Sequence, residues 1–162
     1  MGRKEISVNR KAYHDYFIED TYEAGIVLTG TEIKSIRKGK VQFKDAFISF
    51  INGEAFIKDM HIAEYAEGNR FNHDETRDRK LLLHRSEIAK LFSKSKLQGY
   101  TVIPLKMYLV DGRAKMEIAL AKGKMLYDKR EDAKVKAMKL EAAKAMKRYK
   151  RTKLVLLFFY QH

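Results

Sequence analysis

Two stretches of alternating apolar and polar residues, each broken by a two-residue turn signal, dominate the pattern of the chain. Residues 41–51 and 54–62 flank Asn52-Gly53, and residues 100–110 and 113–121 flank Asp111-Gly112. Such pairs supply the two positive-φ residues of a type I′ turn, so each predicts a β-hairpin. In the second hairpin Leu105, Met107 and Leu109 alternate with Lys106 and Tyr108. Met116, Ile118 and Leu120 alternate with Lys115 and Glu117. One face is apolar and one mixed, as in a half-buried antiparallel ribbon. The single proline, Pro104, lies inside this run and predicts an edge or a bulge there. Upstream, residues 13–21 and 23–29 are rich in Tyr, Phe, Ile and Val and fit two shorter strands.

Elsewhere the period changes to that of a helix. Thr31 can cap a short helix and Gly39 can stop it. Ile33 and Ile36 then share one face, and Lys34, Arg37 and Lys38 the opposite one. A second helix follows the run 80–83, capped by Ser86 and ended by Gly99, with Ile88, Leu91, Phe92 and Ser95 as its inner stripe. Between the hairpins the polar segment 64–79 is long for a compact domain, which points to a functional or mobile loop. About six strands, two or three short helices and no alternating βαβ pattern predict a mainly β fold, a small closed or partly open antiparallel β-barrel.

Residues 1–8 read as a mobile N-terminus, 9–130 as the folded body and 131–162 as a basic tail, with AKGKMLYDKR (121–130) as the junction. In the tail Val135, Met138, Ala142 and Met146 recur at three- and four-residue intervals among many lysines. That stripe is weak and the like charges repel. The tail is therefore expected to be disordered or partly helical when free, and helical once a polyanion neutralises it.

Charge sharpens this division. The 162 residues carry a net charge of +13, with 45% hydrophobic and 34% charged residues. Between residues 122 and 153 there are 13 Lys and Arg against 4 Asp and Glu, a net of +9, which leaves +4 for the rest. The partner implied is a polyanion, nucleic acid or an anionic membrane surface. With no cysteine, disulfides and thiolate metal sites are excluded. No signal-peptide run and no stretch near the roughly 20 apolar residues of a spanning helix is present, and a cytoplasmic monomer is expected. No phosphate loop, nucleophile elbow or His-Glu-x-x-His motif occurs, and the five histidines lack ligand spacing. His73-Asp74 is better read as an ordinary loop pair than as a metal site. No catalytic residue, metal or cofactor is assigned, and an enzyme is not expected.

The blocks NRKAYHDYFI, TYEAGIVLTGTEIKSIRKGK, RKLLLHRSEI, GYTVIPLKMY and ALAKGKMLYDKR, in this order and at these intervals, resemble the SsrA-binding (SmpB) family from about residue 9 to at least 150. The resemblance implies a β-barrel of oligonucleotide-binding type and an adaptor role in trans-translation, the rescue of stalled ribosomes. The body would hold the tRNA-like domain of transfer-messenger RNA (tmRNA). The tail would enter the empty mRNA channel beside small-subunit rRNA and become helical there. Asn9, Glu23 and Leu82 match positions the family uses for tmRNA. Arg10, Lys34, Arg37, Asn72, His73 and Lys80 are weaker candidates for the same surface. Lys122, Gly123 and Lys124 match the family's Gly-Lys element, and Asp128, Lys129 and Arg130 its Asp-Lys-Arg element, both near the decoding centre. Tyr127 matches an aromatic position there, where stacking on a base is worth roughly 1–3 kcal/mol. One departure is Met125, which stands where the family commonly has a second lysine.

Each assignment has a plainer alternative. Glu23 could form a structural ion pair with Arg10 or Lys34, Leu82 could be core, Tyr127 could cover the end of the barrel, and the basic helix face could be merely solvated. For the whole chain the alternative is a generic single-strand nucleic-acid-binding barrel of translation. A third reading is a membrane-surface protein using the basic tail and the apolar end LVLLFFY. That end, 154–160, has no assigned role.

Overall fold

A computed structural model describes residues 2–68 and 71–161, with the side chains of 126, 127 and 149–161 left out of the description. The chain forms two units, 1–123 and 124–162, so the division falls seven residues before the expected end of the body.

The first unit is built on antiparallel strands. They are β1 (Arg3–Val8), β2 (Tyr16–Ile26), β3 (Val41–Gln42), β4 (Phe47–Ile51), β5 (Glu54–Lys58), β6 (His61–Ile62), β7 (Arg79–Leu82), β8 (Tyr100–Val110) and β9 (Arg113–Gly123). Seven of them form one sheet in the order β1-β8-β9-β2-β7-β5-β4, and β3 pairs with β6. Three short helices accompany them: α1 (Arg10–Asp15), α2 (Gly30–Arg37) and α3 (Arg85–Ser95).

Both turn signals do what their chemistry requires. Asn52 and Gly53 have φ of 51° and 76°, and Asp111 and Gly112 have φ of 51° and 81°. Pro104 sits at a bulge, where the β8–β9 register shifts between Pro104 and Lys106. The bulge reverses the facing of β8. Val102, Met107 and Leu109 enter the main core, whereas Ile103 and Leu105 join a smaller cluster with Ala12, Ala119 and Ala121. The expected single face of Leu105, Met107 and Leu109 is thus split in two.

β9 shows how the sequence decides what is covered. Its inner face is Ala114, Met116, Ile118 and Leu120, all in the main core. Its other face runs Arg113, Lys115, Glu117, Ala119, Ala121. The two alanines let Ala12 of α1 pack directly on the strand, while the charged first half is left uncovered.

Several elements differ from expectation. The segment read as a mobile N-terminus contains β1, antiparallel to β8. Ile6 packs against the core, and the Arg3 guanidinium lies 3.7 Å from the centre of the Tyr108 ring. The two short strands before residue 30 are a helix, α1, followed by one long strand, with a register shift between Ile18 and Thr21. α2 is capped by Thr29 rather than Thr31, because Glu32 lies three residues after Thr29 and closes a capping box. His84 rather than Ser86 caps α3, its N–H donating to Glu87 at 2.9 Å. Of the α3 stripe, Leu91 is buried and Ile88 half-buried, but Phe92 and Ser95 are not in the core. Phe92 stays largely exposed, edge-on to Phe50 with ring centres 6.1 Å apart.

The long loop is anchored by a buried ion pair. Arg79 and Glu32 are both fully buried and 2.5 Å apart. Arg79 also donates to the carbonyls of Met60 at 2.7 Å, Glu75 at 3.1 Å and Asp74 at 3.3 Å. Arg77 donates to the second oxygen of Glu32. The second unit contains one helix, α4 (Leu126–Gln161), which spans the junction and the tail. Val135, Met138, Leu140 and Met146 on it are exposed.

Candidate nucleic-acid interface

The uncovered outer half of β9 lies beside β2, and β2 beside β7. Register places Lys115 opposite Gly25, and Gly25 opposite Leu82. Glu23 lies one pleat along from Gly25 on the same face, and Lys80 one pleat along from Leu82. A groove of about 510 Å³ runs over this surface, lined by Glu23, Gly25, Lys80, Leu82 and Lys115 together with residues of the β4–β5 turn and α3. Glu23 and Leu82, 59 positions apart in sequence, thus share one wall-to-wall site.

The plainer readings of these two residues do not hold. Leu82 is 53% exposed and outside the core. Glu23 pairs with neither Arg10 nor Lys34. Its Oε2 accepts a hydrogen bond from the Tyr108 hydroxyl at 2.5 Å. Burial pushes the Tyr108 phenol well above its ordinary range, and donation to the Glu23 carboxylate adds to the rise. Arg3 over the ring completes a stack of Arg3, Tyr108 and Glu23 that fixes the carboxylate, leaving Oε1 to accept from a ligand amino or hydroxyl group.

The charges on this face are mostly paired. Lys80 meets Glu54 at 3.2 Å, and Lys106 meets Glu117 at 3.5 Å and Glu5 at 3.8 Å. Lys115 and Arg113 carry no such pair among the described residues.

The remaining candidates lie elsewhere or serve the fold. Asn9 is buried. Its Oδ1 accepts from Ala12 N at 3.3 Å, capping α1, and its Nδ2 donates to the Pro104 carbonyl at 2.8 Å, holding α1 on the bulge. Arg10 is exposed on α1. His73 is also buried; its Nε2 donates to the Ile62 carbonyl at 2.9 Å and its Nδ1 meets the Thr31 hydroxyl at 2.9 Å. Asn72 bonds the backbone of Tyr65 through both ends of its amide, at 2.9 and 2.7 Å. Lys34 and Arg37 are exposed on α2, with Lys34 and Lys38 5.5 and 5.0 Å from the Tyr65 ring centre. This is a second basic surface, built around an aromatic ring.

At the junction, Lys122 and Gly123 are the exposed end of β9, with the Lys122 ammonium 5.9 Å from the Tyr100 ring centre. In the second unit, Lys124 pairs with Asp132 and holds that carboxyl below its usual range. Asp128 accepts from Met125 N at 3.1 Å at the start of α4, a favourable place for an anion. Lys129 is half-buried and Arg130 exposed. The side chain of Tyr127 lies outside the described residues, as do those of 154–160. Sequence reasoning missed Tyr108, Gly25, Arg113 and Lys115. The parity of β9 places Lys115 on the outer face, but only the structure shows which outward lysines are already neutralised.

Among the described residues no cluster of three or more metal-ligating side chains is present, and no helix is long and apolar enough to cross a membrane. An antiparallel sheet with an open groove lined in part by Lys80 and Lys115, joined to a lysine-rich helix, is the equipment of a binding protein for a polyanion such as nucleic acid. The model of the SmpB protein family matches residues 6–148. The chain belongs to that family. It is 58% identical to the SsrA-binding protein of Geotalea uraniireducens (strain Rf4), over 91% of this chain and 97% of the relative. It is 59% identical to the SsrA-binding protein of Bacillus cereus (strain ATCC 10987 / NRS 248), over 89% and 93%. A chain from the solved structure "tmRNA-SmpB: a journey to the center of the bacterial ribosome" superposes with a TM-score of 0.65 at 45% identity, over 78% of this chain and 93% of that one.

Proposed function

We propose that this protein is the RNA-binding adaptor of trans-translation, a binding factor rather than an enzyme. Its first unit binds the tRNA-like domain of tmRNA through the outer sheet face around Glu23 and Leu82. Its lysine-rich helix occupies the empty decoding centre and mRNA channel of a stalled ribosome, in the cytoplasm. The observation that carries this reading is the convergence of Glu23, Leu82 and Lys80 on one groove, in a chain of the SmpB family. An exposed leucine beside a fixed carboxylate suits unstacked nucleotides: the leucine meets a base face or sugar, and the carboxylate accepts from an amino group or a 2′-hydroxyl.

The second unit supports the ribosomal half of the reading through its charge and its exposed helix. In this reading Lys122, Gly123, Lys124, Tyr127, Asp128, Lys129 and Arg130 lie near the decoding centre. Lys34 and Arg37 form an accessory basic surface, while Asn9, Asn72 and His73 act by holding α1 and the loop in place. The sheet is read as rolled into a barrel of oligonucleotide-binding type, because β4, at one end of the strand order, comes back within 8 Å of β8 near the other.

The test is competition binding. Labelled tRNA-like domain of tmRNA is mixed with the protein at near-physiological salt, with excess bulk tRNA. Retention of the label supports shape-specific recognition. Its loss would leave only charge-driven binding and a generic nucleic-acid-binding protein.

A further inference from the structure

The sulfur atoms of the chain are divided between its two units. There is no cysteine, so methionine carries all of them. In the first unit Met60, Met107 and Met116 are 0% exposed and belong to the main core. In the second, Met125, Met138 and Met146 are 72%, 69% and 56% exposed. An oxidant in solution attacks a thioether only where the sulfur is accessible, so susceptibility among the described residues follows the same division.

The exposed methionines stand at positions on which α4 depends. Met125 closes its first turn through the backbone: the N–H donates to Asp128 Oδ2 at 3.1 Å, and the carbonyl accepts from Lys129 N at 3.1 Å. Met138 and Met146 flank Ala142 at four-residue intervals on one face of the helix, next to Val135 and among lysines. Methionine is a good helix former with an adaptable apolar side chain. Its sulfoxide is polar and chiral. The added oxygen is a strong acceptor that competes for backbone N–H groups, as the oxygens of Ser and Asn do. It also carries partial negative charge, which an array of phosphates repels.

We propose that Met125, Met138 and Met146 are a reversible oxidation site, through which a peroxide disables the second unit while the first still binds its RNA. A lone pair of the thioether sulfur attacks one oxygen of the peroxide. The S–O bond forms as the O–O bond breaks, and the departing hydroxide takes the proton of the sulfur-bound hydroxyl, which gives sulfoxide and water. Sulfur loses two electrons and the peroxide gains them. A dithiol, acting through sulfoxide reductases, returns two electrons and leaves a disulfide and water. This rests on the ribosomal half of the reading above and adds to it a control that acts on one unit alone.

The experiment treats the full chain with hydrogen peroxide, destroys the excess with catalase and maps the added oxygens by peptide mass spectrometry. Oxygen should appear on Met125, Met138 and Met146, while Met60, Met107 and Met116 stay thioethers. The same samples are assayed for binding of labelled tRNA-like domain and for peptide tagging on stalled ribosomes. One oxygen left unsatisfied in a contact weakens it about fivefold or more, so tagging should fall by at least that factor while binding of the tRNA-like domain is unchanged. The two epimer-specific sulfoxide reductases with a dithiol should restore tagging. The triple variant Met125→Leu/Met138→Leu/Met146→Leu keeps apolar helix formers at all three positions, so it should tag and should resist peroxide. If the three sulfoxides form and tagging persists, or if the triple variant is as sensitive as the parent, the inference is overturned and the function stands. The same follows if the core methionines oxidise as fast as the exposed ones. Should the triple variant fail to tag before treatment, the oxidised parent decides: recovery with reductase supports the inference and no recovery overturns it. If the untreated parent neither prefers the tRNA-like domain over bulk tRNA nor supports tagging, the proposed function falls first.

Discussion

Replacing Arg79 with methionine should cost this fold more than any surface change. The substitution keeps the length of the stem but removes four hydrogen bonds, one to Glu32 and one each to the carbonyls of Met60, Asp74 and Glu75. Glu32 is then left fully buried with Arg77 as its remaining charged partner. Stranding a buried charge in this way costs about 3–5 kcal/mol, against a total of about 5–15 kcal/mol for an ordinary domain. In guanidinium chloride, with a slope of about 3 kcal/mol per molar, the unfolding midpoint should fall by about 1–2 M. Acid should expose the same pair. Burial pushes the Glu32 carboxyl up, but hydrogen bonds from Arg77, the Thr29 backbone and Arg79 outweigh it and hold it below its ordinary value of 4.5. A folded-state value that is depressed stabilises fully above about 4.5, and that stability is lost as pH falls through the lowered value. Glu32→Gln should therefore lower stability at neutral pH and flatten the acid limb below 4.5. A midpoint shift for Arg79→Met worth less than about 1 kcal/mol would refute the view that this pair anchors the loop to the sheet.

Further outcomes follow from three single substitutions and one truncation. Gly112→Ala meets no atom within 4 Å, so its cost is the positive φ of 81° alone, about 1–2 kcal/mol by thermal melting. Leu82→Asp should leave the melting temperature nearly unchanged, because the side chain is exposed, while weakening tmRNA binding at least tenfold in filter binding; Glu23→Ala should weaken it less. Truncation after Lys122 removes the whole second unit; it should spare binding of the tRNA-like domain and abolish peptide tagging on stalled ribosomes, and tagging by the truncated chain would contradict the two-surface reading.

The parts of the fold written in local chemistry were legible from residues alone. Asn52-Gly53 and Asp111-Gly112 force their turns because few other pairs accept two positive φ values, and Pro104 forces an irregularity wherever a ladder runs past it. What was hidden depends on distant partners. Residues 3–8 have little periodicity of their own and become a strand because β8 offers a free edge and Tyr108 offers Arg3 a ring. α1 hides within residues whose aromatic content also suits a strand, and it forms because Asn9 caps it and Ala119 and Ala121 leave it room. The polar loop carried no visible anchor, since Glu32 and Arg79 meet only in three dimensions. At the site, resemblance singled out Glu23 and Leu82, and the structure places them in one groove. Lys115 stayed unnoticed because an outward lysine draws attention only when its neighbours are seen to be paired and it is not.

That pairing separates the work of the two units. Salt bridges on the first unit, such as Lys11–Asp45, Lys94–Asp20 and Lys80–Glu54, are exposed and add little to stability. Their larger effect is on the field. They neutralise some of the surface lysines and leave others, Lys115 and Arg113 among them, with no ion pair among the described residues. A surface of that kind discriminates by where its charges stand. Residues 122–153 are the opposite case, with a net of +9 that includes both partners of the Lys124–Asp132 and Lys144–Glu141 pairs. A helix so little neutralised gains affinity from any dense array of phosphates and distinguishes poorly between them. In the proposed reading the sheet then supplies both hold and specificity for the tRNA-like domain and the helix the hold on the ribosome, and the order of events follows. The sheet selects its RNA first, and the helix acts when that complex reaches a second, larger array of phosphates.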